Sequence, residues 1–204
     1  MEEAIIQRMG DVVRYRPPRA REETTATMGM VLFLGAWGMM FAAFFISYGF
    51  MRARLTSWPP PGVPLLPWKL PLLNTLVLAL SSTCYQLGVR EVRLARASRA
   101  WPWLSLAALL GAAFVGLQLV LWKGMFAQGL EPGSAGAYSS VFYGLTWLHA
   151  AHAVVGIFGV GYVAARAVMG AYSAARHLSL RLWGLYWHFV GAVWALMFVS
   201  IFLL

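Results

Sequence analysis

Three histidines inside long apolar segments are the residues of this chain whose type and spacing best suit chemistry. His149 and His152 are three positions apart, so on a helix they would share one face, and His188 lies in another apolar segment that could approach them. Neutral imidazole is a common ligand for a metal ion or for the iron of a b-type haem, and histidines also relay protons. The plainer alternative is that these imidazoles form hydrogen bonds between helices.

The other residues of the apolar segments favour a structural role for these histidines. A His-x-x-His pair without further ligands is a weak metal signal, and the apolar segments supply no Asp or Glu that could complete a site or a proton relay. Cys84, the single cysteine, is predicted to be a small buried apolar residue. We therefore predict no catalytic, cofactor-binding or metal-binding residue in this chain, with a bis-His b-haem membrane anchor as the alternative.

Other polar side chains of the apolar segments are predicted to have the same structural role. They are few, and a polar group surrounded by hydrocarbon needs a partner on a neighbouring helix. These residues are Asn74, Thr75, Tyr143, Thr146 and Tyr186.

Five apolar segments carry these residues, and each is long enough to cross a membrane. At about 1.5 Å of rise per residue, about 20 residues span a hydrocarbon core of roughly 30 Å. All seven acidic residues lie outside these segments, and an acid within the membrane is the usual mark of an ion or proton pathway. The sequence predicts an all-α membrane protein, a five-helix transmembrane bundle that is not an autonomous pump. Its N-terminal cytoplasmic segment is residues 1–27, and its helices lie at about 28–51, 70–89, 103–122, 141–165 and 182–204.

The net charge of +9 indicates topology and not binding to nucleic acid. Twelve of the 16 Lys and Arg residues lie in the N-terminal segment and in the links that follow the second and fourth apolar segments. The links that follow the first and third apolar segments hold the other four. Because positive charge collects on the cytoplasmic side, this asymmetry predicts a cytoplasmic N-terminus and an external C-terminus. The basic side would also attract anionic phospholipid.

Two links have informative compositions. The link at 52–69 contains five prolines and is predicted to be a stiff external arm, because proline cannot continue a helix. In the cytoplasmic link, Arg90, Arg93, Arg96 and Arg99 recur at helical spacing, which predicts that the second helix continues past the membrane with one basic face.

Several stretches resemble subunit III of the haem–copper oxidases, the family that includes cytochrome c oxidase. Phe142-Tyr-Gly-Leu-Thr-Trp-Leu-His-Ala-Ala-His152 resembles a core motif in which two histidines follow a Phe/Thr/Gly-rich stretch. Tyr186-Trp187-His188-Phe-Val190, followed by Val193-Trp194, resembles the signature of the family's last helix.

Further matches occur in the family's order along the chain. Trp58-Pro-Pro60, leading into Pro71-Leu-Leu-Asn-Thr75, resembles the external loop and the start of the next helix. Phe41-Ala-Ala-Phe-Phe45 resembles the aromatic helix that precedes that loop. Together the motifs cover residues 28–204, and it is their combination that is specific.

The resemblance implies a subunit without redox cofactors, in a bacterial inner membrane. It would pack beside oxidase subunit I in a membrane complex that also contains subunit II. Those two partner subunits would hold the haem and copper. It implies aerobic electron transfer to O₂ coupled to proton translocation, with phospholipid bound around the helices. Family members commonly have seven helices, so this chain resembles a short five-helix bacterial form.

Two positions depart from the family's pattern. Trp37 stands where the family commonly has a buried Glu, and Gly191 stands where it commonly has an Asp. The role of those carboxylates therefore does not carry over. A quinol oxidase subunit III and the similar accessory protein of nitric oxide reductases are the alternatives within the family.

Overall fold

A computed structural model of the chain describes residues 18–203, and the side chains of residues 21–203. Within this range all regular structure is helical, and five helices are long and apolar enough to cross a membrane, which confirms the predicted all-α architecture. The helices are α1 (Pro18–Arg54), α2 (Lys69–Arg93), α3 (Ala100–Ala127), α4 (Ala137–Val168) and α5 (Leu178–Met197). A 3₁₀ turn at Ala97–Arg99 precedes α3, and a π-helical segment at Phe198–Leu203 continues α5.

The first helix begins ten residues earlier than its apolar segment. Pro18 opens it, and the fixed φ of proline suits the first position of a helix. Thr25 and Thr27 donate their hydroxyl hydrogens to the carbonyls four residues earlier, which keeps these polar residues within the helical pattern. Residues 1–17 of the predicted cytoplasmic segment, and residue 204, lie outside the described residues.

The second helix ends at Arg93, so it does not continue along all four arginines. Ala95 adopts a left-handed conformation with φ 59°, and the Arg96 N–H donates to the Glu91 carbonyl at 2.9 Å. This is the geometry of a helix C-terminal cap, which turns the chain away from the helix axis. Arg96 and Arg99 consequently do not extend the basic face of α2.

Helices α2 to α5 form a four-helix core around Trp187. The core also buries the rings of Phe114 and Trp194, which meet edge to face at 4.9 Å. Gly111 on α3 and Gly156 on α4 let the Trp187 indole approach their backbones, because a Cβ at Gly156 would lie 2.7 Å from the ring. Small residues at these two positions therefore make room for one of the two fully buried tryptophans of the core.

The first helix packs at the edge of this core. Its most apolar stretch is only 11% buried, against 50% for α4. Near its ends it is tied by two polar contacts, from the Arg181 guanidinium to Thr27 Oγ1 and from the Tyr48 hydroxyl to the Ser200 carbonyl at 2.9 Å. Most of its length presents apolar side chains outward.

Candidate functional site

His149 lies at the centre of the bundle among aromatic rings. It is 1% exposed, and its ring centroid lies 5.4 Å from that of Trp194, 5.9 Å from Phe114 and 6.3 Å from Phe41. Neither ring nitrogen has a hydrogen-bonding partner among the described residues. An imidazole in these surroundings packs as an aromatic ring.

His152 faces the first helix, one turn further along the same side of α4. Its Nδ1 lies 2.6 Å from the Leu148 carbonyl oxygen, so that nitrogen carries the hydrogen and donates it. The ring meets Trp37 edge to face, with centroids 4.0 Å apart, and Phe41 at 5.4 Å. Trp37, which stands where the family commonly has a Glu, thus forms an aromatic contact between α1 and α4.

His188 lies apart from the other two histidines. It is exposed on α5, its Nε2 is 3.4 Å from Gln86 Oε1 on α2, and its ring contacts Tyr85. Within the described chain, no hydrogen bond or ring contact joins it to His149 or His152. The sequence allowed the three to converge, but their positions around the bundle separate them.

The described residues contain no group of three or more His, Cys, Asp or Glu side chains that could hold a metal ion. His149 and His152 are joined by aromatic residues, which supply neither a third ligand nor a proton acceptor. In the described structure both imidazoles pack against aromatic rings, and His152 also donates a hydrogen bond within α4.

Two hydrogen bonds, one between amide groups and one between an indole and a hydroxyl group, join α2 to its neighbours. The Asn74 Nδ2 donates to Gln118 Oε1 on α3 at 3.3 Å, with both residues 1% exposed. Thr75 Oγ1 donates to the Pro71 carbonyl at 2.8 Å and accepts a hydrogen bond from Trp194 Nε1 on α5 at 3.0 Å. These adjacent residues therefore connect α2 to both helices beside it.

The polar residues of α4 form a second set of connections. Thr146 Oγ1 accepts from Trp122 Nε1 on α3 at 3.1 Å, and the Tyr143 hydroxyl donates to the Leu130 carbonyl at 2.5 Å. The Tyr186 hydroxyl of α5 donates to the His152 carbonyl at 3.0 Å. Each of the three polar side chains thus links α4 to another part of the bundle.

Sequence reasoning missed one connection of the core. Trp187 Nε1 donates to Ser81 Oγ on α2 at 3.1 Å, and Ser81 donates in turn to the Ala107 carbonyl on α3 at 2.7 Å. The signal was available, because an indole N–H in an apolar helix requires an acceptor and Ser81 is one of few candidates. Which acceptor it finds depends on helix packing.

A polar cavity of about 410 Å³ lies at the end of the bundle where α4 and α5 are linked. Its lining includes Glu22 and Glu23 of α1 and Arg166 and Arg176 near the link. Burial raises the pKa of Tyr172, also in its wall, above its ordinary value, and a hydrogen bond with Ser179 opposes that shift. Charged side chains of both signs therefore line this cavity.

Comparison with known proteins gives a consistent answer. The family model described as "Cytochrome c oxidase subunit III" matches residues 20–204. Among similar proteins, cytochrome c oxidase subunit 3 of Synechocystis sp. is 32% identical over 86% of this chain and 74% of its own length. That of Thermostichus vulcanus is 29% identical, over 87% and 86%. The subunit 3 of Triticum aestivum is 32% identical, over 85% and 66%.

These matches confirm the resemblance drawn from the motifs. They do not favour a quinol oxidase subunit, a nitric oxide reductase accessory protein or a b-haem anchor. The family model covers all five helices except the first two residues of α1, so one family accounts for the whole bundle. This chain belongs to the cytochrome c oxidase subunit III family.

Proposed function

We propose that this chain is the non-catalytic subunit III of a haem–copper terminal oxidase. It stabilises catalytic subunit I, which with subunit II holds the haem and copper, while the complex passes electrons from cytochrome c to O₂ and translocates protons. The observation that carries the proposal is family membership over residues 20–204. The buried polar side chains support the proposal, because most of them form hydrogen bonds between helices.

Hydrogen bonds between helices suit a structural subunit. In lipid, neighbouring apolar helices gain little from the hydrophobic effect, so packing and hydrogen bonds between helices determine the arrangement. Asn74, Thr75, Thr146 and Tyr186 each bond across a helix boundary. A rigid bundle of this kind offers a fixed surface to a partner subunit.

We further propose a cytoplasmic N-terminus and an external C-terminus in a bacterial inner membrane, with phospholipid around the helices. The excess of Arg on the cytoplasmic links supports this orientation. It is tested with single cysteines at Leu65 and at Ser98, both in exposed links, in a Cys84→Ser background. An impermeant thiol reagent applied to intact cells should label Leu65→Cys and not Ser98→Cys, and the reverse would overturn the orientation.

Assembly is tested by purifying the oxidase from membranes that carry variants of this chain. His149→Leu or His188→Leu should lower the amount of this chain that copurifies with the catalytic subunit and leave the haem absorption bands unchanged. Phe158→Leu, a conservative change at a position 75% exposed on α4, is the matched control and should alter neither.

Two results would contradict the proposal. One is the loss of a haem band from complex that retains all its subunits, because a histidine of this chain would then be a haem ligand. The other is a purified wild-type chain that fails to associate with any haem–copper subunit.

A further inference from the structure

Three buried polar side chains from α2, α3 and α4 lie inside the four-helix core. They are Asn74, Gln118 and His149, each 1% exposed, and we call them the inner polar site. Helix α2 packs against α3 and α5, and α4 packs against the same two helices, so α2 and α4 lie on opposite sides of the core. A group that contacts all three side chains must therefore lie between the helices and not on the outer surface.

Contacts of neighbouring residues place Gln118 opposite the turn of α4 that carries His149. Gln118 lies one turn from Phe114 and one turn from Trp122, on the same face of α3. The Phe114 ring contacts the His149 ring, with centroids 5.9 Å apart, and Trp122 Nε1 donates to Thr146 Oγ1 on α4. Because both neighbours of Gln118 on this face contact that turn, the Gln118 side chain faces the same turn.

Asn74 is placed beside the same turn by its own hydrogen bond and by that of the next residue. Its Nδ2 donates to Gln118 Oε1 at 3.3 Å. Thr75, the next residue, accepts a hydrogen bond from Trp194 Nε1, and the Trp194 ring lies 5.4 Å from that of His149. The three polar side chains thus surround one region inside the bundle.

Four polar atoms of the inner polar site have no hydrogen-bonding partner among the described residues. They are Asn74 Oδ1, Gln118 Nε2 and both ring nitrogens of His149. Two side-chain amides can bond to each other twice, yet only one such bond joins Asn74 to Gln118. A buried polar group without a partner is unfavourable, and the great majority of such groups in proteins are paired with protein or with ordered water.

The chemistry of these four atoms selects the kind of ligand. Asn74 Oδ1 accepts hydrogen bonds, Gln118 Nε2 donates them, and a neutral imidazole such as that of His149 donates at one nitrogen and accepts at the other. Water can satisfy donors and acceptors together. An ion would lack a countercharge, because the apolar segments of α2 to α5 contain no Asp, Glu, Lys or Arg. An apolar molecule would leave all four atoms unpaired.

We propose that the inner polar site binds ordered water at the centre of the bundle. The water accepts a hydrogen bond from Gln118 Nε2, donates one to Asn74 Oδ1, and forms another with a ring nitrogen of His149. Buried water typically makes about three hydrogen bonds of this kind. It connects α2 to α4 across the core, and it depends on the packing of this chain and not on assembly with an oxidase.

The test is radiolytic footprinting of the purified full-length chain in detergent. X-rays split bound water into hydroxyl radicals, which oxidise the side chains beside it, and mass spectrometry locates the added oxygen. Phe114, which is 0% exposed, is the reporter, and Phe142, which is 2% exposed, is the comparison. Phe142 lies near the start of α4 and Phe114 near the middle of α3, so bulk water that leaked into the bundle would oxidise Phe142 at least as fast.

In the wild-type chain Phe114 should be oxidised faster than Phe142. In the double variant Asn74→Leu/Gln118→Leu the water keeps only one polar partner, so the oxidation rate of Phe114 should fall to that of Phe142. Thr83→Val is the matched control, because it removes an exposed hydroxyl of α2 that bonds only within its own helix. The control should match wild type.

A second measurement does not depend on any variant. A structure of the wild-type chain at a resolution that shows water should have density within hydrogen-bonding distance of Gln118 Nε2 and of a ring nitrogen of His149. Three results would overturn the proposal: equal oxidation of Phe114 and Phe142 in wild type, unchanged oxidation of Phe114 in the double variant, or a structure without that density, including one in which Gln118 bonds directly to His149.

Discussion

The first helix and the fourth are both strongly apolar, yet the structure uses them differently. The most apolar stretch of α1 has a mean hydropathy of 2.0 and that of α4 has 1.6, but 11% of the former is buried against 50% of the latter. In a soluble protein the more apolar helix would be the better buried. In a membrane, lipid tails are as apolar as leucine, so hydropathy predicts insertion and does not predict packing.

What distinguishes α4 is the position of its small and polar residues. Gly156 admits the Trp187 ring, and Thr146 accepts a hydrogen bond from Trp122. The glycines of α1 do not admit a neighbouring side chain in this way. A Cβ at Gly35, for example, would meet nothing within 4 Å. The comparison teaches that close approach and polar pairing, more than apolarity, place a helix inside this bundle.

The largest expected contrast comes from removing a large side chain in each region. Trp187→Ala should lower the free energy of unfolding by about 3–5 kcal/mol, because it leaves a cavity in the core. Leu32→Ala on α1, at a position 75% exposed, should change it by less than about 0.5 kcal/mol. Denaturant unfolding of the purified chain in mild detergent measures both, and similar losses would remove the distinction between α1 and the core.

Overpacking should have the next largest effect. Gly156→Leu should destabilise the chain by about 1–3 kcal/mol, because its Cβ would lie 2.7 Å from the Trp187 ring. Gly161→Leu on the same helix is the matched control, since nothing lies within 4 Å of its added Cβ. Thermal unfolding should separate the two variants, and equal melting temperatures would show that Trp187 does not fill this space.

A smaller effect is expected from one hydrogen bond between helices. Thr75→Val keeps the side-chain shape but leaves Trp194 Nε1 without its acceptor, so we expect a loss of about 0.6–1.7 kcal/mol. Ser47→Ala on α1 is the counterpart, because Ser47 bonds only to the Ala43 carbonyl of its own helix. Its stability should match wild type in the same unfolding assay, and a loss as large as that of Thr75→Val would contradict the comparison.

The smallest global effect should come from loosening α1 itself. Tyr48→Phe removes the hydrogen bond to the Ser200 carbonyl, a cost of about 1 kcal/mol or less. Its consequence should be local, with faster amide hydrogen exchange near the end of α1 and unchanged exchange in α2 to α5. Faster exchange throughout the bundle would show that α1 is integral to the core.

Much of the architecture could be predicted from residue order. Five apolar segments without acids predict five membrane-length helices, and the motifs around His149 and Tyr186 identify the family. Helix ends were less predictable, as α1 begins at Pro18 and α2 ends at Arg93 because of a left-handed Ala95. Such ends depend on local hydrogen bonds that hydropathy does not register.

The positions of the three histidines show which contacts could be predicted from the sequence and which could not. Spacing placed His149 and His152 on one face, and the structure sets both against Phe41 of α1. It could not place His188, which lies on the outside of the bundle beside Gln86, because that position depends on how α5 rotates against α2.

Composition and order by themselves determined that this chain has five segments long and apolar enough to cross a membrane, and which family it joins, since these follow from the apolarity and sequence of short segments. Only the tertiary structure decided which helix lies at the edge, which acceptor each indole finds, and where His188 lies. Those outcomes depend on the rotation and separation of helices, which are fixed by contacts between residues far apart in the chain.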